Sequence, residues 1–194
     1  MTQPSPDARQ RVVIGAADMI RRRGLAATSV RELAKHAKAP LGSTYHYFPG
    51  GKQQVAAEAV RFAGDTVARV LSRELAAGPV AGLRAFLALW RKTVLSSEFR
   101  AGCPVLAVSV EEPSAEGESP AVAAAAEVFA GWEAMLADAL RRHGAAETDA
   151  ATLATLVVAA VEGSVAMCRA KRDIGPLDDV AAQLETLLSA AVNR

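Results

Sequence analysis

The chain has 194 residues, 51% hydrophobic and 22% charged, and 22 Lys and Arg against 21 Asp and Glu leave a formal net charge of +1. That composition belongs to a folded globular chain and excludes an intrinsically disordered one. The total conceals a division: residues 1–52 carry nine basic and three acidic side chains, a net of +6, whereas residues 53–194 carry 13 and 18, a net of −5. Such an asymmetry suggests a polyanion-binding piece joined to a piece with another task. Cys103 and Cys168 form no CxxC pair, so neither a disulfide framework nor a structural zinc site is expected, and both suit a reducing compartment. Residues Met1 to Asp7 lack the basic-then-apolar pattern of a leader, and the longest apolar stretch, Leu153 to Val161, is short of the ~20 residues that span a bilayer. A soluble, cytoplasmic protein without membrane association is the expectation.

Alanine supplies 43 residues and aromatics 5%, which favours helix, because Ala loses no side-chain entropy on becoming helical. No run alternates as a strand would. The first helix is expected to open with Ser5 as N-cap and Pro6 at the first helical position, bury Val13, Ala16, Ala17 and Ile20, and end at Gly24. Ser29-Val30-Arg31-Glu32 has the form of a capping box and starts a short helix reaching about Ala37. Lys38-Ala39-Pro40 interrupts it, a second short helix runs from Leu41 to Tyr47, and Pro49-Gly50-Gly51 ends that one. Lys52 to about Glu74 reads as a long connector helix, with Val55, Ala59, Phe62, Val67, Val70 and Leu71 near the helical period. Further breaks fall at Gly78-Pro79, Ala101-Gly102-Cys103-Pro104, His143-Gly144 and Gly175-Pro176, and the polar stretch from Glu112 to Pro120 reads as a mobile loop. The sum is an all-α chain of about nine helices, with a three-helix domain at 1–52 and a helical bundle domain at 53–194.

Two short helices joined by a tight turn and carried on a third match the helix-turn-helix plan. Val30, Leu33, Ala34 and Ala37 line one face of the first, and the period turns Thr44, Tyr47 and Phe48 of the second toward it. Leu41, Gly42, Ser43, Tyr45 and His46 are left pointing outward, toward a groove. Gly42 lets another backbone approach, Ser43 can bond a phosphate or base edge, and Tyr45 and His46 offer flat rings with polar tips. Helix N-termini at Ser29 and near Lys52 present N–H groups to phosphates, and Lys52 adds a charge. Periodicity alone favours a plain helical hairpin with solvated charges over a DNA-binding one.

The string from Val30 to Lys52, VRELAKHAKAPLGSTYHYFPGGK, resembles the DNA-binding signature of the TetR family of transcriptional repressors, whose recognition helix here corresponds to Gly42, Ser43, Thr44, Tyr45, His46, Tyr47 and Phe48. It departs from the family pattern in having Lys38 where Gly is usual at the turn, Thr44 where a larger aliphatic stands, and one extra residue between Phe48 and Lys52. Lys38 is therefore asked to adopt positive φ, at ~1 kcal/mol, or the turn to be reshaped. Pro40, the Pro49-Gly50-Gly51-Lys52 run and Gly102-Cys103-Pro104-Val105 look like a subgroup similar to the LmrA-type regulators. Candidate DNA-contacting residues are Ser29, Arg31, Leu41, Gly42, Ser43, Tyr45, His46, Tyr47 and Lys52. The resemblance implies a homodimer that binds double-stranded operator DNA, with a ligand-binding and dimerisation domain after residue 52, a small apolar or aromatic inducer, and most often repression.

In the remainder, Thr148 to Cys168 is apolar nearly all round, which requires cover on more than one side. A partner subunit is the expected cover, paired through this helix and Leu177–Val192, with Leu156, Val157, Val161, Leu184, Leu187 and Leu188 as candidate interface residues; burial within one subunit is the alternative. Candidate ligand-lining residues are Phe62, Phe86, Trp90, Leu106, Val110, Phe129, Trp132, Glu162 and Met167, although aromatics at this spacing are more often plain core. Glu162 interrupts an apolar run, and pairs either with a basic ligand or backbone donor or with an Arg across the dimer. Cys103, before Pro104, reads first as a small buried residue and second as a redox-sensing thiol. A small helical enzyme is the competing class, but the three histidines, at 36, 46 and 143, and the adjacent Glu111-Glu112 form no convergent acid–base set. There is no glycine-rich phosphate loop, so no cofactor or metal is expected. A purely architectural helical adaptor leaves the +6 of residues 1–52 unexplained.

Overall fold

The computed structural model describes residues 7–111 and 119–192. Among them are nine α-helices, one 3-10 turn and no strand: α1 Ala8–Arg23, α2 Val30–His36, α3 Leu41–Tyr47, α4 Gly51–Glu74, the turn Leu75–Ala77, α5 Pro79–Ser96, α6 Pro104–Ser109, α7 Pro120–Arg142, α8 Glu147–Lys171 and α9 Gly175–Val192. They form two compact units, residues 1–63 with 104–127 and residues 64–103 with 128–194, so that α4 and α7 each contribute to both.

In the first unit the cap of α1 is Asp7, whose carboxylate accepts the Gln10 N–H at 2.7 Å, so the helix begins later than an N-cap at Ser5 implies. Ser5 and Pro6, and most of the stretch read as a mobile loop, lie outside the described residues. Its apolar stripe Val12, Val13, Ala16, Ala17, Met19 and Ile20 is buried, and Gly24, at φ 80°, closes it by donating to Ile20 O at 2.9 Å. The capping box forms as its spacing predicts: Glu32 N donates to Ser29 Oγ at 3.2 Å and Ser29 N to Glu32 Oε2 at 3.1 Å. The Ser29 hydroxyl, which donates to Glu32 Oε2, and then the Ser29 N–H hold the exposed Glu32 carboxyl below its ordinary pKa. Lys38 takes the strained option, φ 51°, while the Ala39 N–H returns to Ala34 O at 2.9 Å. Across this turn Leu33, Ala34 and Ala37 meet Thr44 and Phe48, the last two at 0% exposure.

In the second unit α5, α8 and α9 pack against one another. A Cβ on Gly64 of α4 would stand 2.5 Å from Val128 Cγ2 of α7, so only glycine permits this approach. The same contact lets Trp132 Nε1 donate to Gly64 O at 3.2 Å. Phe86 meets Trp90 and Trp132 edge to face, with ring centroids 6.2 and 5.7 Å apart, and Phe129 meets Trp132 at 5.7 Å. Arg84–Glu185 and Arg91–Asp178 pairs link α5 to α9 at the surface. At 25 residues, with a mean hydropathy of 1.8 over its most apolar window, α8 is long and apolar enough to match a bilayer span, longer than the Leu153–Val161 stretch suggested. The apolar run continues through Glu162 because that carboxyl is itself buried, 3% exposed, on the inner face with Val158, Val161 and Val165.

Candidate nucleic-acid interface and helical unit

The recognition surface is built by α3. Thr44 and Phe48, one turn apart, form its inner stripe, and Thr44 Oγ1 donates to Pro40 O at 3.1 Å, satisfying a hydroxyl that a larger aliphatic would not carry. Gly42 and His46 are exposed, Tyr45 is 54% exposed, and Leu41 and Ser43 are half-buried. Tyr47 differs from the inward placement read from periodicity. Three residues past Thr44 it has rotated off the inner stripe, stands 37% exposed, and lies with its ring 5.8 Å from that of His46. No atom lies within 4 Å of where a Cβ on Gly42 would sit, so the N-terminal turn of α3 is open to an approaching backbone.

The remaining DNA candidates have local duties as well. The Ser29 hydroxyl accepts the Glu32 N–H and donates to Glu32 Oε2 at 2.8 Å, so its first role is to start α2, beside the exposed Arg31. Lys52 Nζ donates to Ala26 O at 3.3 Å, tying the start of α4 to the α1–α2 turn. The same turn is gripped from just past α6, where Glu111 Oε1 accepts both Leu25 N at 2.8 Å and Ala26 N at 3.1 Å. Sequence reasoning missed this residue; its only signal was a carboxylate closing a short helix, and its partners lie more than 80 positions away. Basic groups of the module are also compensated internally. Arg9 donates to Glu58 at 2.7 Å and sits 5.1 Å over the Phe48 ring, and Asp18 accepts from Arg21 and Arg22. Partial burial pushes the Asp18 carboxyl up, but the bonds and charges of Arg21 and Arg22 outweigh it and hold the pKa below the ordinary value.

The ligand candidates divide between the two units. Phe62, Leu106 and Val110 belong to the first, with Val110 74% exposed; Phe86, Trp90, Phe129, Trp132, Glu162 and Met167 belong to the second, with Met167 48% exposed. Those joined by ring contacts are Phe86, Trp90, Phe129 and Trp132. Burial pushes the Glu162 carboxyl up to about 8, only slightly opposed by the neighbouring Cys103 thiol, and no hydrogen bond of ordinary length reaches either oxygen. Trp90 Nε1 is likewise buried without a hydrogen-bond partner.

Of the six interface candidates, Val157, Val161, Leu184 and Leu188 are 0–3% exposed within a single chain and are core, whereas Leu156 and Leu187 stand 42% and 43% exposed. The outer face of α8 continues from Leu156 through Ala159 and Gly163 to Met167, small and apolar at helical spacing. Glu162 lies off that face, buried within the single chain. Cys103 is 3% exposed, and Cys168 is buried near Ile174 O, at 3.7 Å, with burial raising its thiol pKa.

Comparison with known proteins accords with this architecture. Residues 13–59 match the family described as bacterial regulatory proteins, tetR family, and residues 79–183 match the C-terminal domain of the LmrA/YxaF-like transcriptional regulators. The chain is 42% identical over 185 residues to the HTH-type transcriptional regulator Rv0196 of Mycobacterium tuberculosis (strain ATCC 25618 / H37Rv), covering 94% of each. It is 30% identical over 184 residues to YxaF of Bacillus subtilis (strain 168), covering 94% of this chain and 95% of that one. In fold it resembles the regulatory protein TetR from Rhodobacter sphaeroides, with a TM-score of 0.81 at 23% identity over 93% of this chain and 98% of that one. An N-terminal helix-turn-helix, an all-helical body and matches that run the length of the chain make it a DNA-binding transcriptional regulator of the TetR family, in its LmrA/YxaF-like group.

Proposed function

We propose that the protein is a ligand-responsive repressor that binds a palindromic operator as a homodimer and is released by a small apolar or aromatic molecule. DNA reading is assigned to residues 1–52 and ligand binding with dimerisation to 53–194. The observation that carries the reading is the outward face of α3, where Gly42, Ser43, Tyr45, His46 and Tyr47 stand accessible on the basic part of the chain. Leu41, Ser29, Arg31 and Lys52 flank them. A two-fold dimer sets two such helices in successive major grooves, half-site centres ~34 Å apart or a multiple of it. The apolar outer face of α8 with Leu187 of α9 supports the pairing, because a long exposed apolar face on a single chain calls for a partner. An inducer that binds better to the conformer with the wrong half-site separation withdraws the dimer from DNA by that difference in affinity.

Footprinting on the DNA upstream of the protein's own gene tests this directly. A protected inverted repeat is expected, with Tyr45→Ala weakening specific binding roughly 10- to 100-fold while leaving the dimer intact. Equal affinity for the palindrome and for random duplex sinks the proposal.

A further inference from the structure

Glu162 occupies a position that protein chemistry alone leaves unexplained. It lies on the inner face of α8, 3% exposed, and both carboxyl oxygens are fully buried, with no donor among the described residues stronger than the Cys103 thiol. Its polar neighbour is the Cys103 thiol, in a buried stretch, Ala101 to Cys103, that runs beside the C-terminal half of α8, where a Cβ on Gly102 would meet Arg169 Cδ at 2.8 Å. On α5, which packs against α8, Trp90 Nε1 is also buried and unbonded. A carboxyl left to a weak thiol donor and an unbonded indole N–H thus lie buried within one helical unit, although buried polar groups are ordinarily well satisfied. Each lost partner is costly, and an uncompensated carboxylate is the costlier of the two.

We propose that Glu162 is the anchor for an organic cation, an amine or ammonium carried on an aromatic or apolar body, bound inside the helical unit of residues 64–103 and 128–194. This rests on the reading of that unit as the ligand-binding part. A neutral hydrogen-bonding ligand needs no carboxyl there, since Gln, Ser or Thr presents an acceptor without a titratable group. Only a cation makes use of what a carboxyl adds, and in an interior of low polarity that attraction is scarcely screened. In the chain alone burial holds the proton on Glu162. A bound ammonium displaces it: the O–H bond breaks, the proton passes to solvent, and the carboxylate pairs with the cation. The ring system of Phe86, Trp90 and Trp132 supplies apolar and aromatic surface in the same unit.

The two tryptophans, Trp90 and Trp132, both lie in this unit, so tryptophan fluorescence excited selectively reports on it alone. The full-length protein is titrated with a panel of aryl-alkyl ammonium probes, 4-phenylbenzylamine and its N-trimethyl derivative among them, each beside its uncharged alcohol or hydrocarbon isostere. The expected result is at least tenfold tighter binding of the cation than of its isostere. Release of close to one proton should follow from calorimetry at pH 7 in buffers of different ionisation enthalpy. Glu162→Gln should abolish both the preference and the proton release while keeping the affinity for the isostere. Glu162→Met serves the same comparison should Gln fail to fold. Equal affinity of cation and isostere, binding of neither, or a preference that survives both substitutions overturns the proposal. If the isostere binds as tightly as the cation and still frees the operator, Glu162 is not the anchor but the ligand-response reading stands. If the cation binds through Glu162 and operator affinity is unchanged, the anchor stands and that reading falls.

Discussion

Replacing Glu162 by Gln should change how stability depends on pH, by an amount that follows from its burial. In the unfolded chain this carboxyl titrates near the ordinary 4.5, and in the folded chain burial raises it to about 8. Below pH 4.5 it is protonated in both states, and its contribution to stability is fully present. Between those values the unfolded chain releases the proton and the folded chain keeps it, so stability falls as pH rises, by about 1.4 kcal/mol per pH unit. At pH 7 the loss amounts to about 3 kcal/mol, and it levels off above pH 8 at roughly 5 kcal/mol. Gln carries no such term, and the cost of its own buried amide does not vary with pH. Urea unfolding of both proteins at one concentration, at pH 5.5, 6.5 and 7.5, isolates the effect, since every other titrating group cancels in the difference. The gap between variant and wild type should move in favour of Gln by about 1.4 kcal/mol at each step. A gap that stays constant refutes the reasoning, because Glu162 would then be ionised in the folded protein by a partner or by water.

Substitutions at five other positions probe separate features. Leu187→Glu or Leu156→Glu, at positions 43% and 42% exposed, should convert a dimer to a folded monomer by sedimentation. Leu188→Glu, at 0% exposed, should instead cost more than about 4 kcal/mol and unfold the helical unit, as circular dichroism would record. Glu111→Ala, which removes the acceptor of Leu25 and Ala26 N–H, should cost about 2 kcal/mol and speed hydrogen exchange at those two amides, with Glu111→Gln restoring part of both. Lys38→Gly relieves a residue held at φ 51° and should raise stability by up to ~1 kcal/mol, seen as a melting temperature a few degrees higher.

What sequence alone made legible was mostly local. The Ser29–Glu32 box and the bounds of α3 depend on residues a few positions apart, and they stand where the pattern puts them. The positive φ of Lys38 follows instead from the resemblance, which sets Lys38 where the family has Gly and leaves a reshaped turn as the other option. Tyr47 shows the limit of the period: over a seven-residue helix the inner stripe needs only Thr44 and Phe48, and the residue flanking it is free to face out. The start of α1 was misplaced because Ser5, Pro6 and Asp7 all carry start signals, and only the bond to Gln10 N chooses among them. The uniform apolarity of α8 hid which face meets its own chain, so Val157, Val161, Leu184 and Leu188 were read as interface when α5, α8 and α9 already cover them. Glu111 was out of reach, because nothing near it in sequence announces the backbone N–H groups it binds.

The internal pairing of the basic module has a consequence for the thermodynamics of DNA association. Arg9 already lies against Glu58, and Arg21 and Arg22 against Asp18, so these cations must give up a carboxylate before they can gain a phosphate. Arg23, Arg31, Lys35 and Lys38 are exposed and, like the half-buried Lys52, have no ion pair among the described residues. Each phosphate contact expels close to one condensed counterion, and the logarithm of affinity falls with the logarithm of salt by about 0.9 per contact. Five such contacts give a slope of roughly −4.5 per protomer, where the nine basic side chains of residues 1–52 taken at face value give about −8. The counterions released on binding therefore number fewer than the basic residues, and specificity rests correspondingly more on what α3 touches.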